Sequence, residues 1–207
     1  MPTLLNGIHL SNQIQLLVCE SGQTCSANIC ELTRNIAKHR IDLAWWTELQ
    51  LPRHIRQAQR DAGWCWVDLR GELQHSFGRN GYGWCACTED GDCQGAILYQ
   101  VGGVSSFDES LPTVFCHRLA TAPRNREGLV PQERYRGVGK GLIALAALHS
   151  YRAGLAGRVT VETYDDPDVR EWYKRLGFRQ TPKDSDGIVD FELVPEAANS
   201  LLANLLV

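Results

Sequence analysis

Residues 134–143 of this 207-residue chain have the sequence RYRGVGKGLI, which predicts a loop that turns into a helix running from Gly137 to about Ala153. Glycines leave space where a backbone turns into a helix, and three of them alternate here: Gly137, Gly139 and Gly141. The first turn of a helix has N–H groups without intrahelical partners, which together with the helix dipole favour an anion. A pyrophosphate suits such a turn, with added charge-assisted bonds from Arg134, Arg136 or Lys140.

Two common phosphate-binding motifs do not match this stretch. A Walker A loop requires Gly-Lys-Ser/Thr, which the chain lacks. A dinucleotide-binding fingerprint requires a different spacing of its third glycine and an acidic residue at the end of the next strand. One alternative stays open, namely a helix start whose small residues serve only close packing.

Two motifs together resemble the GCN5-related N-acetyltransferases. Arg134-x-x-Gly137-x-Gly139 resembles that family's CoA-binding motif, Gln/Arg-x-x-Gly-x-Gly/Ala. Residues 171–178, EWYKRLGF, are similar to its second signature, a short helix with the sequence Phe-Tyr-x-x-Leu-Gly-Phe. The two signatures occur in the family's order, separated by a predicted helix and strand, and the match covers about residues 82–194.

The resemblance implies an α/β (α+β) fold in which one mixed sheet of six to seven strands is split by a V-shaped CoA cleft and flanked by about four helices. Acetyl-CoA, or another acyl-CoA, is the implied co-substrate, and no metal is expected. The pantetheine arm would meet backbone groups of Leu119, Ala120 and Thr121. The pyrophosphate would meet the amides of Val138, Gly139, Lys140, Gly141 and Leu142.

The resemblance also suggests catalytic groups. Tyr173 matches the family tyrosine that serves as general acid near the CoA sulfur, although helical spacing also fits a core residue. Glu162, on the predicted strand 158–163, and His117, on strand 113–121, are candidate bases, and loss of the amine proton to water is an alternative. Regular alternation would place His117, Leu119 and Thr121 on one face, with Cys116, Arg118 and Ala120 on the other.

The chain departs from the family pattern before the CoA motif. The predicted loop from Ala122 to Arg136 is longer by about eight residues than such a connection usually is. This loop either shapes the acceptor site or is a solvated insertion.

The remaining elements are predicted from periodicity and turn residues within one domain covering 1–207. The N-terminal part, 10–62, is expected to hold a strand at 10–18, a helix from Ser26 to Arg40 and a helix at 44–62. Later elements are strands at 64–69 and 188–194, a hairpin around Asp90-Gly91, a short helix at 168–176 and a helical tail at 195–207. Five tryptophans are expected to form core or to line the acceptor side: Trp45, Trp46, Trp64, Trp66 and Trp84.

Eight cysteines are many for this length. Without a recognisable export signal, reduced thiols are expected rather than disulfides. Cys85, Cys87 and Cys93 suggest a zinc site, but Cys-x-Cys is not the usual knuckle and no second pair follows. Small buried apolar side chains are the preferred interpretation.

A formal net charge of −3 provides no global basic field for nucleic acid or anionic membrane. No apolar run reaches the length of a membrane span, so the cytoplasm is the expected location. The expected function is transfer of an acetyl group to a primary amine of a small molecule, peptide or protein, by direct attack in a ternary complex. A homodimer is possible.

Three alternatives to this function stay open. A longer acyl-CoA would make the protein a fatty-acyl transferase, and a degenerate site would make it a CoA sensor. A toxin-like acetyltransferase acting on aminoacyl-tRNA would need a basic patch, for which five arginines are candidates: Arg118, Arg124, Arg126, Arg134 and Arg136.

Overall fold

The computed structural model describes residues 13–185 and 187–203. These residues form a nine-stranded sheet with the strand order β6-β1-β2-β3-β4-β5-β7-β9-β8. The strands are β1 Gln13–Val18, β2 Thr24–Glu31, β3 Gly81–Cys87, β4 Cys93–Val104, β5 Pro112–Thr121, β6 Tyr135–Arg136, β7 Val159–Tyr164, β8 Phe178–Ser185 and β9 Ile188–Leu193. Residues 10–12 of the predicted first strand and 204–207 of the predicted tail lie outside the described part.

Seven α-helices accompany the described sheet: α1 Arg34–Ile36, α2 Trp45–Glu48, α3 Arg53–Gln57, α4 Trp66–Phe77, α5 Val138–Arg152, α6 Pro167–Arg175 and α7 Pro195–Ala203. A π-helical turn, Ala37–Asp42, extends α1, and 3₁₀ turns cover Gly78–Asn80 and Pro123–Asn125. Nine strands and seven helices exceed the expected six to seven and about four. The strands that were not predicted are β2, β6 and β8, and the added helices come from the division of the N-terminal part into α1 to α4. No helix in the described ranges is long and apolar enough to cross a membrane.

The predicted helix from Ser26 to Arg40 is wrong over its first half. Residues 24–31 form β2, which pairs antiparallel with both β1 and β3. Pairing on both edges satisfies the backbone groups of this segment, so tertiary context overrides the helical spacing of its apolar residues. The helix that does form begins later, where the Thr33 hydroxyl accepts a hydrogen bond from the Ile36 amide at 3.3 Å.

The predicted strand 64–69 is also wrong, since α4 begins at Trp66. The Asp42 carboxylate accepts hydrogen bonds from the amides of Trp66, at 2.8 Å, and Val67, at 3.1 Å. This carboxylate satisfies the open end of the helix from a position remote in sequence. The predicted helix 44–62 is divided into α2 and α3, with Pro52 immediately before α3.

Two hydrophobic cores lie on the two faces of the sheet. The larger is built around α5, whose Leu142 and Ile143 are fully buried. The second lies beneath α1 to α4 and contains the buried Trp45, Trp46 and Trp66. The core interpretation is therefore confirmed for these three tryptophans, and α5 is held firmly enough to position its N-terminus.

Candidate active site

The sheet opens between β5 and β7, which are the parallel neighbours among the described strands. They pair only over Val114–Cys116 and Val159–Val161, and beyond these residues the two strands separate. A cleft of about 1030 Å³ fills the gap. Its walls come from β5, β7, α6 and the start of α5, so it is the V-shaped opening that the resemblance implies.

A β-bulge shapes the β5 wall. Leu98 pairs with Arg118 while Tyr99 pairs with Cys116, so His117 is the extra residue. Beyond the bulge the faces are exchanged: Cys116 packs into the core around α5, whereas Ala120 packs into the other core. The expectation that Cys116 and Ala120 share a face is wrong because one inserted residue reverses the alternation.

The open edge of β5 presents free backbone groups to the cleft. The Ala122 amide donates to the Gln94 carbonyl at 2.8 Å, which directs Ala122 and Ala120 toward β4. Because backbone groups alternate along a strand, those of Leu119 and Thr121 point away from β4, into the cleft. The Thr121 carbonyl accepts hydrogen bonds from Arg126, at 3.0 and 2.6 Å. The Leu119 groups and the Thr121 amide therefore remain to bind an extended ligand.

The N-terminus of α5 lies at the outer end of the cleft. Gly137 precedes the helix with φ +93°, in the left-handed region that favours glycine. The Gly141 amide donates to the Gly137 carbonyl at 2.9 Å, closing the first helical turn. The amides without helical partners are therefore those of Val138, Gly139 and Lys140, and all three residues line the cleft.

Two of the residues predicted to bind the pyrophosphate, Gly141 and Leu142, do not line the cleft. A Cβ at Gly141 would lie 2.7 Å from Ile14 Cδ1, so this glycine permits close packing of α5 on β1. Leu142 is fully buried in the core. At Gly139 a Cβ would lie 3.1 Å from Cζ2 of Trp172, whose ring lines the cleft beside the turn.

The three cationic candidates for phosphate binding have different surroundings. Arg134 does not line the cleft and instead forms ion pairs with Asp90, at 3.1 Å, and Asp92, at 3.5 Å. Arg136 lines the cleft and is paired with Glu133. Lys140 lines the cleft on the first turn of α5. Arg136 and Lys140 thus remain the cations that can meet a phosphate there.

The extended loop between β5 and α5 is structured. Arg124 is buried and donates to the Gln94 side chain at 3.1 Å and to the Cys93 carbonyl at 3.0 Å. Arg126 forms a two-bond ion pair with Asp61, one bond being 2.7 Å long. These contacts hold the loop along the outer end of the cleft, which several loop residues line: Asn125, Arg126, Glu127, Glu133, Tyr135 and Arg136.

The five arginines considered as a basic patch are engaged within the molecule. Arg118 lies over the Trp64 ring at 5.2 Å and donates to the His117 carbonyl at 2.6 Å. The other four are paired with carboxylates: Arg124 with Glu48, Arg126 with Asp61, Arg134 with Asp90, and Arg136 with Glu133. Carboxylates therefore offset four of the five charges, and Arg118 is the member of this set that has no acidic partner among these contacts.

Tyr173 reaches the narrow end of the cleft from α6. Its ring is 7% exposed, stacks on Phe191 at 5.5 Å and meets the Phe178 ring edge-on at 5.1 Å. Burial, with a smaller contribution from Cys116, raises the pKa of Tyr173 well above its ordinary value. The phenol therefore stays protonated throughout the neutral range, and packing fixes its direction. The core and cleft interpretations of Tyr173 apply together, since the ring packs while the residue lines the cleft.

Glu162 lies on β7, directly opposite Asp190 of β9, and lines the cleft. Partial loss of hydration beside the strand, together with the neighbouring charge of Asp190, raises the pKa of Glu162, while Arg118 acts in the opposite direction. A carboxylate with a raised pKa is a stronger proton acceptor, which suits a general base. The side chain is exposed, so substrate and solvent can reach it.

His117 is a weaker candidate for the base. Burial, with a smaller contribution from Arg118, lowers its pKa to about 4. Its Nε2 lies 3.0 Å from the Gln100 side-chain oxygen, and its ring packs between Phe77 and Phe115 at 5.0 and 4.7 Å. The imidazole is therefore neutral at pH 7 and held by packing, although it borders the cleft.

Trp64, one of the five tryptophans expected to form core or to line the acceptor side, lines the cleft as a half-buried ring, although it does not lie on the predicted strand. Other cleft residues were not predicted from the sequence. Trp172 stands where the second family signature has phenylalanine, and this substitution was the available signal. The Arg126–Asp61 pair left no local signal, because its members are remote in sequence.

Solved structures of known proteins share this architecture. The GNAT domain of S. lividans PAT aligns with a TM-score of 0.57 and 14% identity, over 87% of this chain and 96% of that one. The PaiA N-acetyltransferase of Thermoplasma acidophilum, in complex with coenzyme A, aligns with a TM-score of 0.54 and 14% identity, over 81% and 98%. A GNAT-family acetyltransferase of Staphylococcus aureus Mu50 aligns with a TM-score of 0.51 and 14% identity, over 82% and 99%.

The chain therefore has the fold of the GCN5-related N-acetyltransferases, and the predicted fold class is confirmed. No family model and no curated protein matches the chain.

Proposed function

We propose that the protein is an acetyl-CoA-dependent N-acetyltransferase that modifies a primary amine. One observation carries the proposal: the open edge of β5 connects the free amides of Val138, Gly139 and Lys140 to the place where Tyr173 lies. The edge from Cys116 to Thr121 is about 17 Å long at the rise of a strand. An extended pantetheine arm between a pyrophosphate and a thioester suits this arrangement. The Thermoplasma neighbour, whose structure contains coenzyme A, supports the same ligand.

The phosphates would bind at the α5 N-terminus, where backbone N–H groups and the helix dipole favour anions. Arg136 and Lys140 would add charge. The Leu119 backbone and the Thr121 amide would bind the pantetheine amides as an added strand would. The acyl thioester would then lie where β5 and β7 separate, beside Cys116, whose thiol acts electrostatically on Tyr173.

Acyl transfer in a ternary complex would follow. The neutral amine nitrogen attacks the thioester carbonyl carbon, and the new C–N bond forms as the C–S bond breaks. Tyr173 donates its proton to the departing CoA sulfur. The proton lost by the amine passes to Glu162, directly or through water, and the phenol is restored from solvent. His117 holds the bulged strand in place and is not assigned a proton in this scheme.

The acceptor would enter from the side of the cleft formed by Trp64, Arg118 and Glu162. Glu162 lies on the exposed part of β7, so it would attract a cationic amine as well as deprotonate it. Trp64 is already covered by Arg118, which leaves a partly apolar entrance. These features favour an amine carried on a small molecule or on an exposed side chain.

The proposal is tested by following CoA thiol release from acetyl-CoA in the presence of a panel of amines: polyamines, amino sugars, and peptides with lysine or a free N-terminus. Acetylated product should appear in mass spectra for at least one class, and decanoyl-CoA should be a poorer donor. A protein that binds CoA but transfers to no amine would contradict enzymatic function and favour the sensor. A clear preference for decanoyl-CoA would instead favour the longer-chain transferase.

A further inference from the structure

Four cysteines converge on one face of the sheet, beneath the N-terminal helices and away from the cleft. They come from three adjacent strands: Cys30 from β2, Cys85 and Cys87 from β3, and Cys93 from β4. In the strand ladder Cys30 is the direct partner of Cys85, and Cys87 is the direct partner of Cys93. Pairing thus gathers four sulfurs that the sequence separates.

The sulfur positions are close. The Sγ atoms of Cys85, Cys87 and Cys93 all lie within 4.8 Å of one another, and those of Cys85 and Cys87 are 3.8 Å apart. Cys30, the strand partner of Cys85, packs against the same core that contains these three cysteines. A register shift between Ala86 and Cys87 brings Cys87 opposite Cys93.

These distances agree with the geometry of a thiolate-bound metal. Zinc binds four ligands as a tetrahedron with Zn–S bonds of about 2.3 Å, so its ligand sulfurs are about 3.8 Å apart. Cys85 and Cys93 are fully buried, and Cys87 is 9% exposed. Soft thiolate ligands select zinc over the hard cations that prefer oxygen.

We propose that Cys85, Cys87 and Cys93, with Cys30 as fourth ligand, form a structural zinc site that joins β2, β3 and β4. A zinc knuckle takes its ligands as pairs of cysteines along the chain, whereas here Cys30 and Cys93 lie across the sheet from Cys85 and Cys87. This proposal differs from the sequence-based expectation of no metal.

The surroundings indicate a structural rather than a catalytic role. Among the described residues, none of the four cysteines lines the cleft. The Cys93 carbonyl accepts hydrogen bonds from Trp45 Nε1, at 2.9 Å, and from Arg124, at 3.0 Å. A metal here would therefore fix the second core and, through Arg124, the loop that borders the cleft. The positive charge of Arg40 acts on Cys87 and would offset part of the thiolate charge.

The test uses the full chain, purified under reducing conditions without chelator from zinc-supplemented cells. Elemental analysis should find about one zinc per chain. Replacement with Co²⁺ should give a thiolate-to-cobalt charge-transfer band whose intensity corresponds to four sulfurs. Cys85→Ala and Cys87→Ala should lose the metal and the band, and Cys30→Ala should reduce the band by about a quarter. Cys116→Ala removes an equally buried thiol from the other core and should change neither.

If the cysteine variants fail to fold, measurements on the wild-type chain alone still test the zinc site. A tight chelator should remove zinc and lower Tm, and added Zn²⁺ should restore it. A reduced wild-type protein that takes up neither zinc nor cobalt would overturn the site, leaving the thiols as buried apolar groups. Metal retained in Cys85→Ala would also overturn it, and a band unchanged in Cys30→Ala would overturn the fourth ligand. Because CoA binding does not enter the readout, this result is independent of the proposed function.

Discussion

Replacing Tyr173 with phenylalanine removes one hydroxyl and keeps the ring. The ring is 7% exposed and packs against Phe178 and Phe191, so its apolar contacts should survive in the variant. A positioned general acid contributes about 10²-fold to a rate. We therefore expect kcat to fall about 10²-fold, equivalent to about 2.7 kcal/mol in the barrier. CoA affinity should change little, because the proposed contacts of CoA with the turn and with β5 are retained.

The assay follows acetyl-CoA consumption with the best amine found, while calorimetry gives CoA affinity and urea unfolding gives stability. Tyr151→Phe is the matched control. The Tyr151 hydroxyl lies outside the cleft lining and hydrogen-bonds the Asn199 side chain at 2.6 Å and the Pro195 carbonyl at 3.2 Å. Its removal should cost about 1 kcal/mol of stability and leave kcat unchanged. Wild-type turnover in a folded, CoA-binding Tyr173→Phe would refute the role of Tyr173 as the acid.

Three further outcomes are expected from the same structure. Arg124→Met should lower the free energy of unfolding by about 1–3 kcal/mol in urea, because the Gln94 and Cys93 oxygens each lose one buried charged donor and Glu48 loses its partner; the exposed Arg134→Met should cost no more than about 1 kcal/mol and leave CoA affinity unchanged. As the pH falls, protonation of Glu162 should reduce kcat/KM, and the midpoint of this loss should lie at a higher pH than an ordinary carboxyl group gives, because the pKa of Glu162 is raised. This acid limb of the pH profile should vanish in Glu162→Gln. The free energy of unfolding should decline as the pH falls from about 6.5 toward 4, because the pKa of His117 is lower in the folded chain than in the unfolded chain, which therefore binds the proton more readily. This decline should be smaller in His117→Gln.

Each of these outcomes can fail independently. Equal stabilities of the two arginine variants would contradict a structural role for the loop, and reduced CoA affinity in Arg134→Met would restore that residue to the phosphate site. An acid limb that persists in Glu162→Gln would assign it to another group. If wild type and His117→Gln lose the same stability as the pH falls, a group other than His117 is responsible for the loss.

The elements nearest the CoA motif could be predicted from the sequence because their signals are local. The glycine-rich turn, α5 and the signature on α6 each combine a turn residue with a continuous apolar pattern. The separation of β5 from β7 was predicted from the family resemblance, because the periodicity of apolar residues gives no information about it. Strand pairing confirms that these segments meet at one cleft.

The N-terminal part could not be predicted, because its structure depends on distant partners. The α4 helix is closed by Asp42, 24 residues away from Trp66, and the local sequence resembles a strand. Arg134 carries the motif position but pairs with the hairpin residues Asp90 and Asp92. A sequence motif fixes the residue type, whereas the neighbouring strands decide which partner that side chain meets.

Calorimetric titration of the full chain with acetyl-CoA tests the central claim most directly. The account predicts one saturable site, with affinity lost in Gly139→Glu, where a side chain must displace the Trp172 ring and its carboxylate would face the phosphates. Gly139→Ala controls for the steric effect alone and should retain part of the affinity. No binding by the folded wild-type chain at millimolar acetyl-CoA, or undiminished binding by a folded Gly139→Glu, would contradict the placement of CoA between β5 and β7.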